Sequence, residues 1–419
     1  MKKCFIVFIG MLAIWFCAWG MWSYKTPYFA DDIPYSYKML DNDSFSDAFK
    51  KTVFDRSLHT GIGYFARPLD PVYLWFAYRL GTPLHKFIIA FFHFMAAYFF
   101  WILLYRIKIP YSISILIASV FLVMPITYES IYIVGLSQPL HLLLFLLISL
   151  LFLNFRRQTC FRSRFFSILA LNFLLFFVCL SHPSFISSII LITVFEMILS
   201  LKESVKWRSV IERTMKTGLL LSIGPAIYAV CYMTFPHANN PHLSLLKIFH
   251  VFLSVQYHGC RALLSMFSLE WISEGFAALT SSLSVFLIFI ASGIIFYLSC
   301  FHVASRHAGE TYTTRHAAID FLWGYLWMIS GFAVYMLDVG FASNSRSYYF
   351  PSLGIAIMAG SIFNLLFKRV TNKRIIYFSV FVCIMTLVFF ACGISYDYDG
   401  TPLFWKAALN RKTLHRFSF

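Results

Sequence analysis

Charge is scarce in this 419-residue chain: Asp, Glu, Lys and Arg together make up 12% of it, and only 18 residues are acidic. A soluble domain carries about 25% charged residues, so the chain cannot coat a water-facing surface, and a soluble enzyme is excluded. Cysteine offers no framework either. Eight of the nine cysteines lie in or at the edge of apolar runs, only Cys260 sits in a longer polar interval, and no CxxC pair occurs. That leaves no disulfide scaffold and no compact zinc motif. An internal repeat with matching Gly- or Pro-broken spans, common in transporters, is missing as well.

Apolar and aromatic residues fill the space. The chain is 60% hydrophobic, with 49 Phe, 24 Tyr and 10 Trp, and its mean hydropathy is +0.73. Runs of about 20 apolar residues, each able to cross a hydrocarbon core of about 30 Å as a helix, recur from end to end. The first, MKKCFIVFIGMLAIWFCAWGMW, has the basic start of a signal peptide but no small-x-small cleavage site, and reads as an uncleaved span. Further spans are expected near 84–105, 111–126, 136–153, 165–180, 184–201, 217–234, 277–300, 319–337, 350–367 and 375–394. The expectation is an all-α polytopic membrane domain of about 11 transmembrane helices over 1–394. It carries a first outer loop at about 23–83, a second outer interfacial segment at about 235–276 and a short basic tail at 395–419.

The formal charge of +16 needs no nucleic-acid partner, because Lys and Arg accumulate on cytoplasmic loops. With the N-terminus cytoplasmic, 19 of the 34 basic residues fall on inner segments, and the short outer loops near 127–135, 181–183 and 338–349 hold only Arg346. This alternation places the C-terminus outside, in a membrane of the bacterial inner-membrane kind. The remaining basic residues gather in the first outer loop, in the interval with Lys247 and Arg261, and in the tail.

The first outer loop also holds seven of the 18 carboxylates. Ser44 or Ser46 caps a short amphipathic helix, SFSDAFKKTVFDRSL, expected to rest on the membrane surface. Asp31 and Asp32 differ in setting. They follow the first span closely, between Tyr28, Phe29, Ile33, Pro34 and Tyr35, near the headgroup level. Paired carboxylates in a partly desolvated place separate their pKa values, leaving one suited to act as a base. The alternative is a divalent cation held by the pair; no other cofactor is expected. Arg67, in FARPLDP, starts a segment too short to cross, which reads as interfacial or re-entrant, with either headgroup snorkelling or phosphate contact as the role of the arginine.

Ionisable groups inside spans are functional candidates by default. His93 lies within FIIAFFHFMAAYFF and Asp338 at the outer end of the ninth span. Glu196 lies near the inner end of its span, close enough to Lys202 and Lys206 for an interfacial pair. His182 sits in the SHPS turn, where it faces an outer cavity or simply closes the turn. The interval with His237, His242, His250, His258 and Arg261 has histidine spacings of 5, 8 and 8. No compact metal motif has these spacings, and contacts to lipid phosphates account for the residues better. In SNSRSYYFPSLG, Arg346 is followed by Tyr348, Tyr349 and a span-starting Pro351, and an arginine there is well suited to grip a phosphate.

Taken in order, these elements resemble the GT-C superfamily of membrane glycosyltransferases, specifically its protein O-mannosyltransferase-like branch, which includes the membrane part of tetratricopeptide-containing O-mannosyltransferases. The elements are FADDIPYS after the first span, ARPLDP before a span with a buried histidine, MPITYES ending a span at a proline, LSHPSF before a span with an acidic residue, and SRSYYFPSLG, similar to that branch's Arg-Tyr-x-Pro-Ser-x-Gly motif. The resemblance covers nearly the whole chain. It departs at His182-Pro183 and in having DD where the protein mannosyltransferases have Asp-Glu, which leaves the acceptor open.

The resemblance implies transfer of a sugar from a polyprenyl-phosphate carrier to an acceptor hydroxyl on a glycan, lipid or protein outside the membrane, with inversion. Asp31 or Asp32 would be the base, Arg67 and Arg346 phosphate partners, His93 an orienting group, and Tyr348, Tyr349 and His182 further substrate contacts. Alternatives of another class are a transporter or flippase for a lipid-linked sugar or anion and a non-catalytic scaffold; a glycan polymerase or ligase remains within the enzymes. A topology reporter fused after Phe419 is expected to be extracytoplasmic and one inserted between Lys202 and Lys206 cytoplasmic; the reverse at either site breaks the assignment.

Overall fold

The computed structural model describes residues 2–23, 44–47, 75–76, 79–80, 82–124, 127, 131, 138–181, 188–203, 206–234, 257, 269–304, 313–338, 349–367, 370 and 373–400. These are 93% helical and contain no strand. Helix α1, Lys2–Trp15, runs on through a π-helical turn, Phe16–Gly20, to Met21–Ser23. Then come α2 (Thr82–Arg106), α3 (Tyr111–Val123), α4 (Gln138–Arg156), α5 (Phe161–Ser181), α6 (Ser188–Lys202), α7 (Trp207–Leu221) and α8 (Ile223–Thr234). The remainder are α9 (Leu269–Thr280), α10 (Leu283–Ala304), α11 (Thr314–Asp338), α12 (Tyr349–Phe367) and α13 (Lys373–Gly400). The last runs six residues beyond the expected domain edge at 394.

Among the described residues, six segments are long and apolar enough to cross a membrane: Cys4–Ser23, Leu84–Arg106, Gln138–Arg156, Phe161–Leu180, Tyr349–Phe367 and Ile375–Ser395. A seventh arises if Ile272–Thr280 and Leu283–Ser299, bent by 111° at their break, are one span. The chain is therefore an integral, multi-pass helical membrane protein. Each of the eleven expected ranges contains helix, but those near 111–126, 184–201, 217–234 and 277–300 carry short or interrupted ones.

The shortness of α3 has a local cause. Met124 leaves the helix at φ −65°, ψ 114°, as the residue before a proline tends to do, and Pro125 follows. Thirteen residues extend about 20 Å, which is less than a bilayer core. At its other end a tight connection returns the chain from α2, with Lys108 at φ 63° and the Ile109 N–H donating to the Leu104 carbonyl at 3.1 Å. This is a left-handed helix cap occupied by lysine where glycine is usual.

The π-helical turn frees carbonyls that must find partners inside the membrane. Cys17 O accepts from Trp22 Nε1 at 3.0 Å and from the Cys392 thiol at 3.3 Å, and Ala18 O accepts from Ser395 Oγ at 2.9 Å. The irregular turn is thereby bound to α13. Small residues set the closest crossings. A Cβ on Gly354 of α12 would overlap the Gly324 carbonyl of α11, and one on Gly393 of α13 would overlap the backbone at Gly275 of α9.

The core also contains an ion pair. Lys202 Nζ at the end of α6 lies 2.6 Å from Asp320 Oδ1 in α11, with the carboxylate fully buried. Removing one partner of such a pair strands a buried charge, at a cost of about 3–5 kcal/mol. Asp320→Ala is therefore expected to lower the thermal midpoint of the detergent-solubilised protein sharply, while Lys202→Met with Asp320→Leu recovers most of the loss; equal loss in both would contradict the pairing.

Candidate functional site

The expected site residues that the structure describes are His93 and Tyr349, and they meet. His93 projects from the middle of α2, fully buried. Its Nδ1 lies 2.9 Å from the Tyr349 hydroxyl, on the first residue of α12, and its Nε2 lies 2.9 Å from the carbonyl of Leu122, in the last turn of α3. A carbonyl only accepts, so a neutral ring satisfies both partners as the Nε2–H tautomer, with the Tyr349 O–H donating to Nδ1. The Leu122 carbonyl, near the end of α3 and short of helical donors, also accepts from Trp19 Nε1 at 2.7 Å. Phe121 packs on the imidazole with ring centroids 4.9 Å apart.

Four elements converge on this one point: the π-helical turn after α1, the middle of α2, the end of α3 and the start of α12. His93 stands about 16 Å along α2 from Thr82, so the end of α3 and the first described turn of α12 meet the middle of α2. Trp15 reinforces the same wall, with Nε1 donating to Ala90 O at 2.8 Å.

Asp31, Asp32, Arg67, His182, Arg346 and Tyr348 lie outside the described residues, as do His237, His242, His250, His258 and Arg261. Asp338 closes α11, but its side chain is also outside the described set. Of the first loop, Ser44 Oγ accepts from the Ser46 N–H at 3.2 Å, so Ser44 is the capping residue. Phe45 packs edge-on to Trp75 at 5.3 Å, and Arg79 lies 4.3 Å over the Trp75 ring, joining the amphipathic segment to the short one after Arg67.

Glu196 needs a correction. It is buried, but its partners are Arg156, at 2.8 Å, and Ser200 Oγ, at 2.9 Å, instead of Lys202 or Lys206; Lys202 is taken by Asp320. Arg156 also grips Glu203, which Arg213 reaches at 3.2 Å. These hydrogen bonds, that from Arg156 foremost, hold the Glu203 carboxyl below its ordinary value. Their contribution is present at neutral pH and is lost only as pH falls through that lowered value.

Sequence reasoning missed Lys86, which is fully buried on the same face of α2 as His93, seven residues and about two turns earlier. A lysine at i−7 from a histidine inside an apolar run is the signal that could have found it. His85, Gln138 and His141 are buried in the same half of the molecule, at the starts of α2 and α4. Among the described residues, no three of His, Cys, Asp and Glu gather closely enough to share a metal ion.

No protein-family model, curated protein or solved structure matches the chain. Its function therefore has to be argued from its own residues. For the His93–Tyr349 contact, the check is a double-mutant cycle. His93→Phe and Tyr349→Phe each leave a buried polar group without its partner, costing about 1–3 kcal/mol, and the double variant is expected to lose less than the sum of the two. Strict additivity of the thermal shifts would show that the contact is not made.

Proposed function

We propose that the chain is a GT-C-type glycosyltransferase that moves a sugar from a polyprenyl-phosphate carrier to an extracytoplasmic acceptor hydroxyl with inversion. The observation that supports this reading is the hydrogen bond between His93 and Tyr349 across 256 residues of sequence. Two elements singled out for their resemblance to that superfamily, the span with a buried histidine and the SRSYYFPSLG motif, are joined at one depth. Arg346 stands three residues before Tyr349 in the sequence.

The chemistry asks little beyond such a frame. The acceptor oxygen attacks the anomeric carbon from the face opposite the phosphate, and Asp31 or Asp32 takes the hydroxyl proton. The bond from the anomeric carbon to the phosphate oxygen breaks, and its electron pair leaves with the lipid phosphate. A phosphate leaves well without being protonated, unlike the alkoxide a glycosidase must expel, so a single base suffices, with fixed cations stabilising the departing charge. Arg346 and Arg67 fill that cationic role, with Lys86 as a third candidate. His93 is a positioning residue, since both ring nitrogens are engaged in holding helices.

The second reading, a flippase for the same lipid-linked sugar, is favoured by the sharply bent helix pair α9–α10, because broken helices are frequent in transporters. Membranes supplied with labelled polyprenyl-phosphate sugars separate the two. Wild type is expected to release free polyprenyl phosphate and label an acceptor, and either Asp31→Asn or Asp32→Asn is expected to lower the rate by about 10²–10⁴-fold. Lipid movement without cleavage, unchanged in both variants, would favour the flippase.

A further inference from the structure

The end of the helices where Arg156 and Lys202 gather, assigned to the cytoplasm by the charge alternation, contains a cavity of about 390 Å³. That is within the size range of small-molecule sites, about 300–1,000 Å³. Its polar walls are Arg156 of α4, Arg164 of α5, Glu196 of α6, Glu203 just beyond it, and Arg213 and Lys216 of α7. Both carboxylates are already committed. Glu196 is held by Arg156, and Glu203 by Arg156 and Arg213.

Arg164 and Lys216 make no ion pair with any described carboxylate, and the Arg164 guanidinium lies 5.4 Å over the Phe155 ring. The cavity therefore presents two uncompensated positive charges across a concave space, with the Thr217 hydroxyl on the same wall. A multiply charged oxyanion is the matching ligand, since arginine grips phosphate oxygens with paired N–H donors.

The surroundings identify the source of the phosphate. From Arg164, α5 continues with Phe165, Leu169 and Phe173 at i, i+4 spacing, all more than half exposed. Beside Lys216, α7 carries Trp207, Ile211, Met215 and Leu219 at the same spacing, with Leu219 at 71% exposure. These two apolar stripes lie on the helices that supply the cavity's Arg164 and Lys216. A soluble phosphate compound has no use for them, whereas acyl chains do. Basic pockets between membrane helices on the cytoplasmic side suit anionic headgroups.

We propose that this cavity binds the phosphate of an anionic membrane lipid between Arg164 and Lys216, with the acyl chains lying along α5 and α7. The site is independent of the proposed transferase chemistry. Its test uses the full-length protein in detergent, titrated with phosphatidylglycerol, phosphatidylcholine or inorganic phosphate and read by native mass spectrometry and thermal midpoint. Phosphatidylglycerol is expected to bind as a discrete adduct and raise the midpoint. Arg164→Gln and Lys216→Gln should each weaken binding about fivefold, whereas Arg208→Gln, an equal charge loss on α7 outside the cavity, should not. Equal weakening by Arg208→Gln, or none by the other two, overturns the site. Protection by inorganic phosphate as strong as by phosphatidylglycerol overturns the lipid as its source.

Discussion

A carbonyl group in hydrocarbon cannot borrow a partner from water, and the interior of this protein is arranged around that constraint. Helix α3 stops against the middle of α2 because Met124 precedes a proline, and its last carbonyls would otherwise be orphans. The Leu122 oxygen takes two donors, Trp19 from the turn after α1 and His93 from α2. The same constraint governs the π-helical turn, whose freed oxygens are met by Trp22, Cys392 and Ser395. Irregular backbone is tolerated here because tryptophan, histidine, cysteine and serine are placed to close each gap.

A second economy concerns charge. At one end of the helices, carboxylates and cations are sorted into fixed partners: Arg156 with Glu196 and Glu203, and Lys202 with Asp320. With so few acidic residues available, Glu196, Glu203 and Asp320 each hold an arginine or lysine in place. Two of the cations left without a described carboxylate, Arg164 and Lys216, are exposed and line one cavity next to apolar surface.

Much of the architecture was legible in sequence, because the length of an apolar run is itself the physical requirement for crossing a membrane. The strongest runs became the strongest spans: Leu84–Arg106 and Ile375–Ser395 fall within a residue or two of expectation. Shorter helices were less legible, since Met124 and Ser222 end or break them through local geometry that averaging over a window conceals. Partner choice was least legible. Glu196 has Lys202 six residues away in sequence, yet it binds Arg156, 40 residues distant, because residues six apart do not share a helix face. Lys86 falls at the outer edge of the second span, where its charge reads as a loop residue, although its spacing from His93 places both on one face. His93 itself was visible as an ionisable residue in an apolar run, but its partnership with Tyr349 depends on a crossing of helices that no local pattern encodes.

The tautomer of His93 has a directional consequence. The hydrogen-bond chain runs one way, from the Tyr349 hydroxyl through the imidazole to the Leu122 oxygen, and ends on an amide carbonyl that has no proton to pass on. Such a chain is a dead end for proton conduction: a proton delivered to Nδ1 would have no exit unless the ring released α3. It also turns the lone pairs of the Tyr349 oxygen away from the ring, so whatever approaches that hydroxyl from the other side meets an acceptor already oriented. The arrangement suits an anchor of fixed polarity, not a relay.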